Sequence, residues 1–312
     1  MTVRFGLLGA GRIGKVHAKA ISADGNAELV AVADAMAPAA QAIAAQYGCE
    51  VRSIDAILAA KDIDAVVICT PTDTHADLIE AFARAGKAIF CEKPIDLSLD
   101  RVKACLKVVR DTKAVLMVGF NRRFDPHFMA VKAEIAKGTL GAVEMVTITS
   151  RDPGAPPVEY IARSGGIFRD MTIHDFDMAR FLLGEEVAEV SAQASVLVDP
   201  AIGKAGDFDS VQVMLRTASG KMAVISNSRR ATYGYDQRIE VHGALGAAAA
   251  ENQRPAMIEV ATAAGYTRPP LHDFFMTRYT EAYAAEIATF VQAALGKTTA
   301  TPSGEDGLAA LA

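Results

Sequence analysis

Short, continuously apolar runs punctuate the first 120 residues, at Val3–Leu8, Leu29–Ala33, Ala65–Cys69, Ala88–Cys91 and Val115–Val118. They are rich in Val and Ile, as strands covered on both faces must be, and helical runs lie between them. Thr74 with Asp77 three residues later has the form of a capping box, and Gly86 closes that helix. Ser98 caps the run that carries Val102, Leu106 and Val109. Such alternation predicts a parallel sheet with right-handed crossovers. Near residue 122 the pattern changes. Asp125-Pro126 is a cap followed by proline at the first helical position, opening a helix that runs to about Lys137 before Gly138. Val211, Val213 and Leu215 then alternate with Gln212, Met214 and Arg216, and similar segments lie near 143–150, 187–198, 221–228 and 237–242. Period 2 of this kind predicts a largely antiparallel sheet with one face against helices and the other open. One helix interrupts these strands from about Gly166 to Leu183, and a final helical stretch covers about Arg278–Leu295. The expected fold class is α/β: an N-terminal domain over residues 1–122, then an α+β domain with a large, mostly antiparallel open sheet over residues 123–312.

The first strand leads straight into a glycine-rich turn, in VRFGLLGAGRIG. Gly9, Gly11 and Gly14 make G-x-G-x-x-G between a strand and a helix, and Asp34 ends the next apolar run twenty residues after Gly14. This is the dinucleotide fingerprint of a Rossmann domain. Gly9 permits the tight turn, Gly11 lets the backbone approach a pyrophosphate, and Gly14 lets helix and strand pack closely. The diphosphate is expected on the free N–H groups of the first helical residues Arg12, Ile13 and Gly14. Asp34 is expected to accept hydrogen bonds from the adenosine ribose. Ala35 and Met36 follow it, so no nearby cation awaits a 2′-phosphate, and the cofactor is expected to be NAD. The other predicted strands also end in polar residues: Thr70-Pro71-Thr72, Glu92-Lys93-Pro94 and Asn121-Arg122-Arg123. Ligands of open α/β sheets bind beyond the carboxyl ends of the strands, so these groups point at one crevice.

Composition narrows the partners. A net charge of −5 argues against nucleic acid as a bulk electrostatic partner. Cys49, Cys69, Cys91 and Cys105 form no C-x-x-C pair, and most sit in or beside apolar runs, as reduced core residues do. No apolar run is long enough to span a membrane, and the chain starts directly on a strand, so a cytoplasmic protein without a signal peptide is expected. The open sheet face invites a homo-oligomer.

A nicotinamide enzyme that oxidises an alcohol needs a base for the hydroxyl proton and a charge that steadies the alkoxide. In GGIFRDMTIHDFDMAR, Asp170 and His174 are four apart and share a helix face, with Asp177 three further on. A carboxylate beside an imidazole orients the ring and raises its basicity. A core or capping histidine, and a divalent metal held by Asp170, His174 and Asp177, are the alternatives. Lys93 in CEKP is the second candidate. An X-Pro bond leaving a strand can be cis and would fix the direction of the side chain. Asn121, Arg122, Arg123, Arg151, Asp152 and Tyr233 add the donors and acceptors that a hydroxyl-rich ligand needs.

The segments GAGRIGKVHAKAI, CTPTDTHADLIEAFARAGKAIFCEKP, GFNRRFDP and GGIFRDMTIHDFDMARFLLG, in this order, resemble the glucose–fructose oxidoreductase/inositol dehydrogenase (Gfo/Idh/MocA) family over essentially the whole chain. The resemblance implies that Lys93, Asp170 and His174 form the catalytic set, with His174 as acid/base, Asp170 as its partner and Lys93 as the positioning cation. It further implies substrate contacts from Arg123, Asp152 and Tyr233, a cofactor lining that includes Thr70, Pro71, His75, Glu92 and Asn121, and no metal. The implied activity is NAD-dependent oxidation of a secondary alcohol of a cyclic polyol, with myo-inositol at carbon 2 foremost. A pyranose or other sugar is the close alternative, and a non-catalytic dinucleotide-binding sensor or assembly subunit is the alternative from another class. The last helix, opened by DGLAALA, is expected to be short.

Overall fold

The computed structural model describes residues 1–312, with the side chain of Ala162 left aside. The chain forms two compact units. One comprises Met1–Phe124 with Glu281–Ala312, the other Asp125–Thr280.

In the first unit, β1 (Val3–Leu8), β2 (Ala27–Ala33), β3 (Glu50–Val51), β4 (Ala65–Ile68), β5 (Ala88–Glu92) and β6 (Leu116–Gly119) form one sheet in the order β3-β2-β1-β4-β5-β6. Every pairing is parallel. The order reverses between β1 and β4, which is where open sheets of this type bind ligands. The crossovers are α1 (Arg12–Ala23), α2 (Ala37–Tyr47), α3 (Ile54–Ala59), α4 (His75–Arg84) and α5 (Leu99–Thr112). Ser98 caps α5 by accepting from the Arg101 amide. The capping box expected at Thr74 does not form. A 3-10 turn, Thr72–Thr74, precedes α4, and the Thr74 hydroxyl donates instead to the Pro71 carbonyl at 2.8 Å, while Asp77 pairs with Arg101.

The second unit opens with α6 (Pro126–Ala136), capped by Asp125, whose Oδ1 accepts from the amides of His127 and Phe128. Its sheet comprises β7 (Val143–Arg151), β8 (Val187–Ser195), β9 (Ser210–Thr217), β10 (Met222–Ser228), β11 (Asp236–Gly243) and β12 (Gly246–Ala250), ordered β12-β11-β7-β10-β9-β8. It is antiparallel as expected except at β7–β10, which run parallel. A separate hairpin pairs β13 (Val260–Thr262) with β14 (Gly265–Thr267). The helix expected from about Gly166 to Leu183 is present, with a π-helical turn in its first part and a separate short helix before it. α7 (Val158–Ser164) ends at Gly165 and Gly166, both at positive φ, and a π-helical turn, Phe168–Thr172, then leads into α8 (Ile173–Leu183). Met178 and Leu182 of α8 lie in one core with Val146, Ile148, Val213 and Ile225 of the sheet. The short α9 (Pro200–Lys204) and α10 (Phe275–Arg278) complete the unit. On the opposite sheet face Met145, Met214, Met222 and Val224 are exposed, a patch of the kind that assemblies cover.

The division differs from a contiguous cut at 122/123, because α11 (Thr280–Ala294) and α12 (Gly304–Leu311) belong with the first unit. The physical reason is apolar burial: Ile287, Phe290 and Val291 complete the core of the parallel sheet, with Phe290 5.9 Å from Phe5 and 5.6 Å from Phe90 between ring centres. α12 starts on a capping box made by Ser303 and Asp306.

α11 also buries Glu286 completely, and neither of its carboxyl oxygens meets a hydrogen-bond partner among the described residues. Burial, and then the nearby Glu92 carboxylate, push its pKa well above the usual 4.5. A carboxyl group raised in this way costs stability as pH rises through the interval between its unfolded and folded pKa values, where the unfolded chain ionises and the fold does not. Glu286→Gln is therefore expected to leave the thermal midpoint almost unchanged near pH 4 and to raise it by a few degrees near pH 8. Equal midpoints for both proteins at both pH values, measured by calorimetry, would contradict a neutral Glu286.

Candidate active site

The glycine turn has the geometry that its spacing demands. Gly9 has φ +100°, and a Cβ there would stand 2.5 Å from the Cys69 carbonyl oxygen at the end of β4. A Cβ on Gly14 would collide with the Gly9 carbonyl, whereas one on Gly11 would meet nothing within 4 Å. The space above Gly11 and the uncapped start of α1, at Arg12, Ile13 and Gly14, thus fit a diphosphate laid on the positive end of a helix. Asp34 reaches back to this turn from the end of β2, accepting from the amides of Ala10 at 2.5 Å and Met36 at 2.7 Å. Its carboxylate oxygens keep further lone pairs for ribose hydroxyls.

Beyond β4, β5 and β6 the expected polar residues split into two kinds. Thr70, Pro71 and Lys93 retain solvent access, and Asn121 is buried in a 3-10 turn, Asn121–Phe124, after β6. The Lys93–Pro94 bond is cis. Glu92 is engaged from behind, with His17 Nε2 2.6 Å from its Oε1. His17 itself is fully buried, edge-on to Phe90 and Tyr283. His75, expected on the cofactor, is 2% exposed, with Nδ1 2.8 Å from the Pro94 carbonyl and Nε2 2.7 Å from the Thr70 carbonyl. Both ring nitrogens are spent on the main chain. Burial depresses its pKa, although the two carbonyls pull the other way. Arg123, expected on the substrate, pairs at 2.9 Å with Asp306 of α12, where a capping carboxylate draws the guanidinium. Burial raises the pKa of Asp306, but Arg123 and the bonds from Ser303 outweigh it and hold the group below its usual range.

In the second unit the structure brings Asp152 and Asp170 together on one residue that the sequence did not single out. Arg229, just past β10 and 4% exposed, donates from Nη1 to Asp152 Oδ2 at 3.0 Å and from Nη2 to Asp170 Oδ2 at 2.8 Å. Burial disfavours its charge, yet the carboxylates of Asp170 and Asp152 hold its pKa above the usual value. The Tyr160 hydroxyl donates to the other Asp170 oxygen at 3.0 Å. Asp170 lies in the π-helical turn, and His174 lies about one turn on, in the first turn of α8. The start of α8 is tied to the sheet by a buried network. Asp175 accepts from the Ser150 hydroxyl at 2.7 Å and from Asn227 Nδ2 at 2.8 Å, and the Thr172 hydroxyl donates to Asn227 Oδ1 at 2.7 Å. Asp177 is buried 3.8 Å from Arg180. Among the described residues no group of three or more His, Cys, Asp and Glu side chains is arranged to hold a metal ion.

Tyr233 lies on the other face of the sheet from α8. Its hydroxyl lies 3.0 Å from Arg151 Nη1 and donates to Asp236 Oδ2 at 2.6 Å. It lines a cavity of about 370 Å3 with Gln193, Gln212 and Ser226, on the sheet face opposite α8. The period-2 pleat explains this. Ser150 faces α8, so its neighbour Arg151 and the partner Tyr233 face away.

A model of the oxidoreductase family with an NAD-binding Rossmann fold matches residues 3–120, and one of the GFO/IDH/MocA C-terminal domain matches residues 128–249. The chain belongs to the Gfo/Idh/MocA family. It is 78% identical over 312 residues to inositol 2-dehydrogenase of Rhizobium meliloti (strain 1021), covering all of this chain and 94% of that one. It is 40% identical to scyllo-inositol 2-dehydrogenase (NAD(+)) of Bacillus subtilis (strain 168), over 93% of this chain and 85% of the relative. Among solved structures, myo-inositol dehydrogenase from Corynebacterium glutamicum superposes with a TM-score of 0.96 at 45% identity, over 100% of this chain and 94% of that one. Scyllo-inositol dehydrogenase from Lactobacillus casei, solved with bound NAD(H) and scyllo-inositol, superposes with a TM-score of 0.93 at 30% identity and the same coverage. As a member of the Gfo/Idh/MocA oxidoreductase family, whose N-terminal model is an NAD-binding Rossmann fold, this protein uses NAD.

Three residues of this family member escaped the sequence. Tyr160 carries no signal by spacing. Arg229 follows an alternating strand beside Arg230, where nothing separates a buried arginine from a solvated one. His17 was detectable, because Gly14, His17, Ala18 and Ile21 share the buried face of α1, and a polar residue on an apolar stripe needs a partner.

Arg229→Met would leave two buried carboxylates side by side without their cation. The expected result is a loss of about 3–5 kcal/mol in urea unfolding and a fall in turnover of about 100-fold or more, with Arg229→Lys intermediate because an ammonium cannot fork. Unchanged unfolding and turnover in Arg229→Met would remove the bridge from the site.

Proposed function

We propose that this protein is an inositol 2-dehydrogenase, oxidising the carbon-2 alcohol of myo-inositol to the ketone with NAD as hydride acceptor. The observation that carries the proposal is the 78% identity, over the full chain, to a named inositol 2-dehydrogenase. The site chemistry supports it. A cyclic polyol offers many hydroxyls and no charge, so its recognition needs fixed donors and acceptors, and the Asp152–Arg229–Asp170 array is fixed.

In this reading His174 takes the proton of the carbon-2 hydroxyl, and Asp170 orients the imidazole and steadies the imidazolium. The Lys93 ammonium steadies the alkoxide that forms as the proton leaves. NAD, when bound, supplies the electrophilic ring carbon that accepts hydride from carbon 2. Proton and hydride thus leave the same alcohol for different acceptors, which balances the oxidation to a ketone. Gly11 and the α1 amides hold the diphosphate, and Asp34 holds the adenosine ribose.

Initial rates of NAD reduction on myo-inositol, scyllo-inositol, glucose and xylose test the assignment. The proposal expects myo-inositol to give the highest kcat/KM, and His174→Ala to lose turnover by about a thousandfold or more while NAD still binds in calorimetry. A higher kcat/KM on glucose or xylose would make the protein a sugar dehydrogenase, and no reduction with any polyol would make it a dinucleotide-binding sensor. Retained turnover in His174→Ala would remove His174 as the base.

A further inference from the structure

Lys93 stands between two residues that are each held from behind by a buried imidazole. On one side Glu92 closes β5 and meets His17 at 2.6 Å. On the other the Pro94 carbonyl meets His75 Nδ1 at 2.8 Å, while His75 Nε2 meets the Thr70 carbonyl at 2.7 Å. β4 and β5 are adjacent parallel strands, paired through Ile68 and Cys91, and Thr70 and Pro94 belong to the segments that leave them. One ring therefore spans the two strand-end segments. A neutral imidazole donates to one of the two carbonyls and an imidazolium to both; with the proton on Nδ1 the ring binds the Pro94 carbonyl, and because it stands at the start of α4 it joins the segment leaving β5 to the one leaving β4. With both nitrogens committed and 2% exposure, the ring has no donor left for a cofactor or a polyol.

We propose that His75 is a positioning residue for Lys93: by holding the Pro94 carbonyl against the start of α4 it fixes the backbone from which the lysine reaches the reacting hydroxyl. The inference rests on the catalytic role proposed above for Lys93. It gives His75 a different task from the one implied by family resemblance, as a brace behind the crevice and not a lining group. A brace acts through the residue it positions, and a displacement of about 1 Å at a reacting group can cost about 100-fold in rate.

A double-mutant cycle separates this from a structural role. Turnover of myo-inositol is measured for the wild type, His75→Ala, Lys93→Ala and the double variant, with NAD affinity by calorimetry and thermal midpoints alongside. His75→Ala is expected to lower kcat by about 10- to 100-fold with the dissociation constant of NAD changed by less than about threefold. In the Lys93→Ala background the same substitution is expected to cost less than about threefold, because its target is already gone. His75→Gln, whose amide can still donate to one carbonyl, should fall between the wild type and His75→Ala, and serves in the cycle if the alanine variant does not fold. Equal losses in both backgrounds, or a lowered midpoint with kcat unchanged, would overturn the proposal. Full turnover in Lys93→Ala would instead overturn the catalytic role of Lys93, a separate outcome read from a separate variant.

Discussion

A guanidinium buried between two carboxylates sets the geometry of the second unit's polar site. At 4% exposure the Arg229 charge is tolerable because Asp152 and Asp170 face it, and two buried carboxylates so close together would be costly without Arg229 between them. Each group makes the others tolerable, and none can move alone. The planar fork matters, because one point charge cannot address two carboxylates in fixed directions. Asp170 is thereby oriented before any substrate arrives, with its second oxygen held by Tyr160. The Thr172–Asn227–Asp175–Ser150 network does the same for the helix start that carries His174. Buried polar groups are costly unless fully satisfied, and a satisfied network permits one arrangement.

The first unit shows a related division among residues that look alike in the sequence. At the ends of β4, β5 and β6 a polar side chain can serve as a ligand or as a brace behind the ligand. His17 and His75 are buried against Glu92 and against main-chain carbonyls, and Arg123 is tied to Asp306. Asp34, Thr70 and Lys93 are less buried, and open space lies above Gly11. A site built this way is stiff because its second layer is polar and directional, and stiffness at the reacting atoms is worth several powers of ten in rate.

How much of this was legible depends on sequence distance. The parallel sheet, the glycine turn and the helix caps at Ser98 and Asp125 follow from windows of a few residues, and each stands as expected. The parallel β7–β10 pair and the return of α11 and α12 to the first core needed contacts that span the chain, as did the separate fate of Tyr233. The bonds at the centre of the site are long-range as well. Arg229 lies 59 residues from Asp170 and 77 from Asp152, and His17 lies 75 from Glu92. No local pattern can pair such groups. Period identifies a buried face, but only the fold shows which charge answers which.

In the proposed mechanism Lys93 and His174 act on the same hydroxyl of the substrate. A crystal structure of the protein with NAD and myo-inositol bound tests it most directly. The account predicts the carbon-2 oxygen within hydrogen-bonding distance of both Lys93 Nζ and the His174 imidazole, with carbon 2 facing the nicotinamide ring. A bound inositol whose carbon-2 oxygen touches neither side chain, in a complex that turns over when warmed, would contradict it.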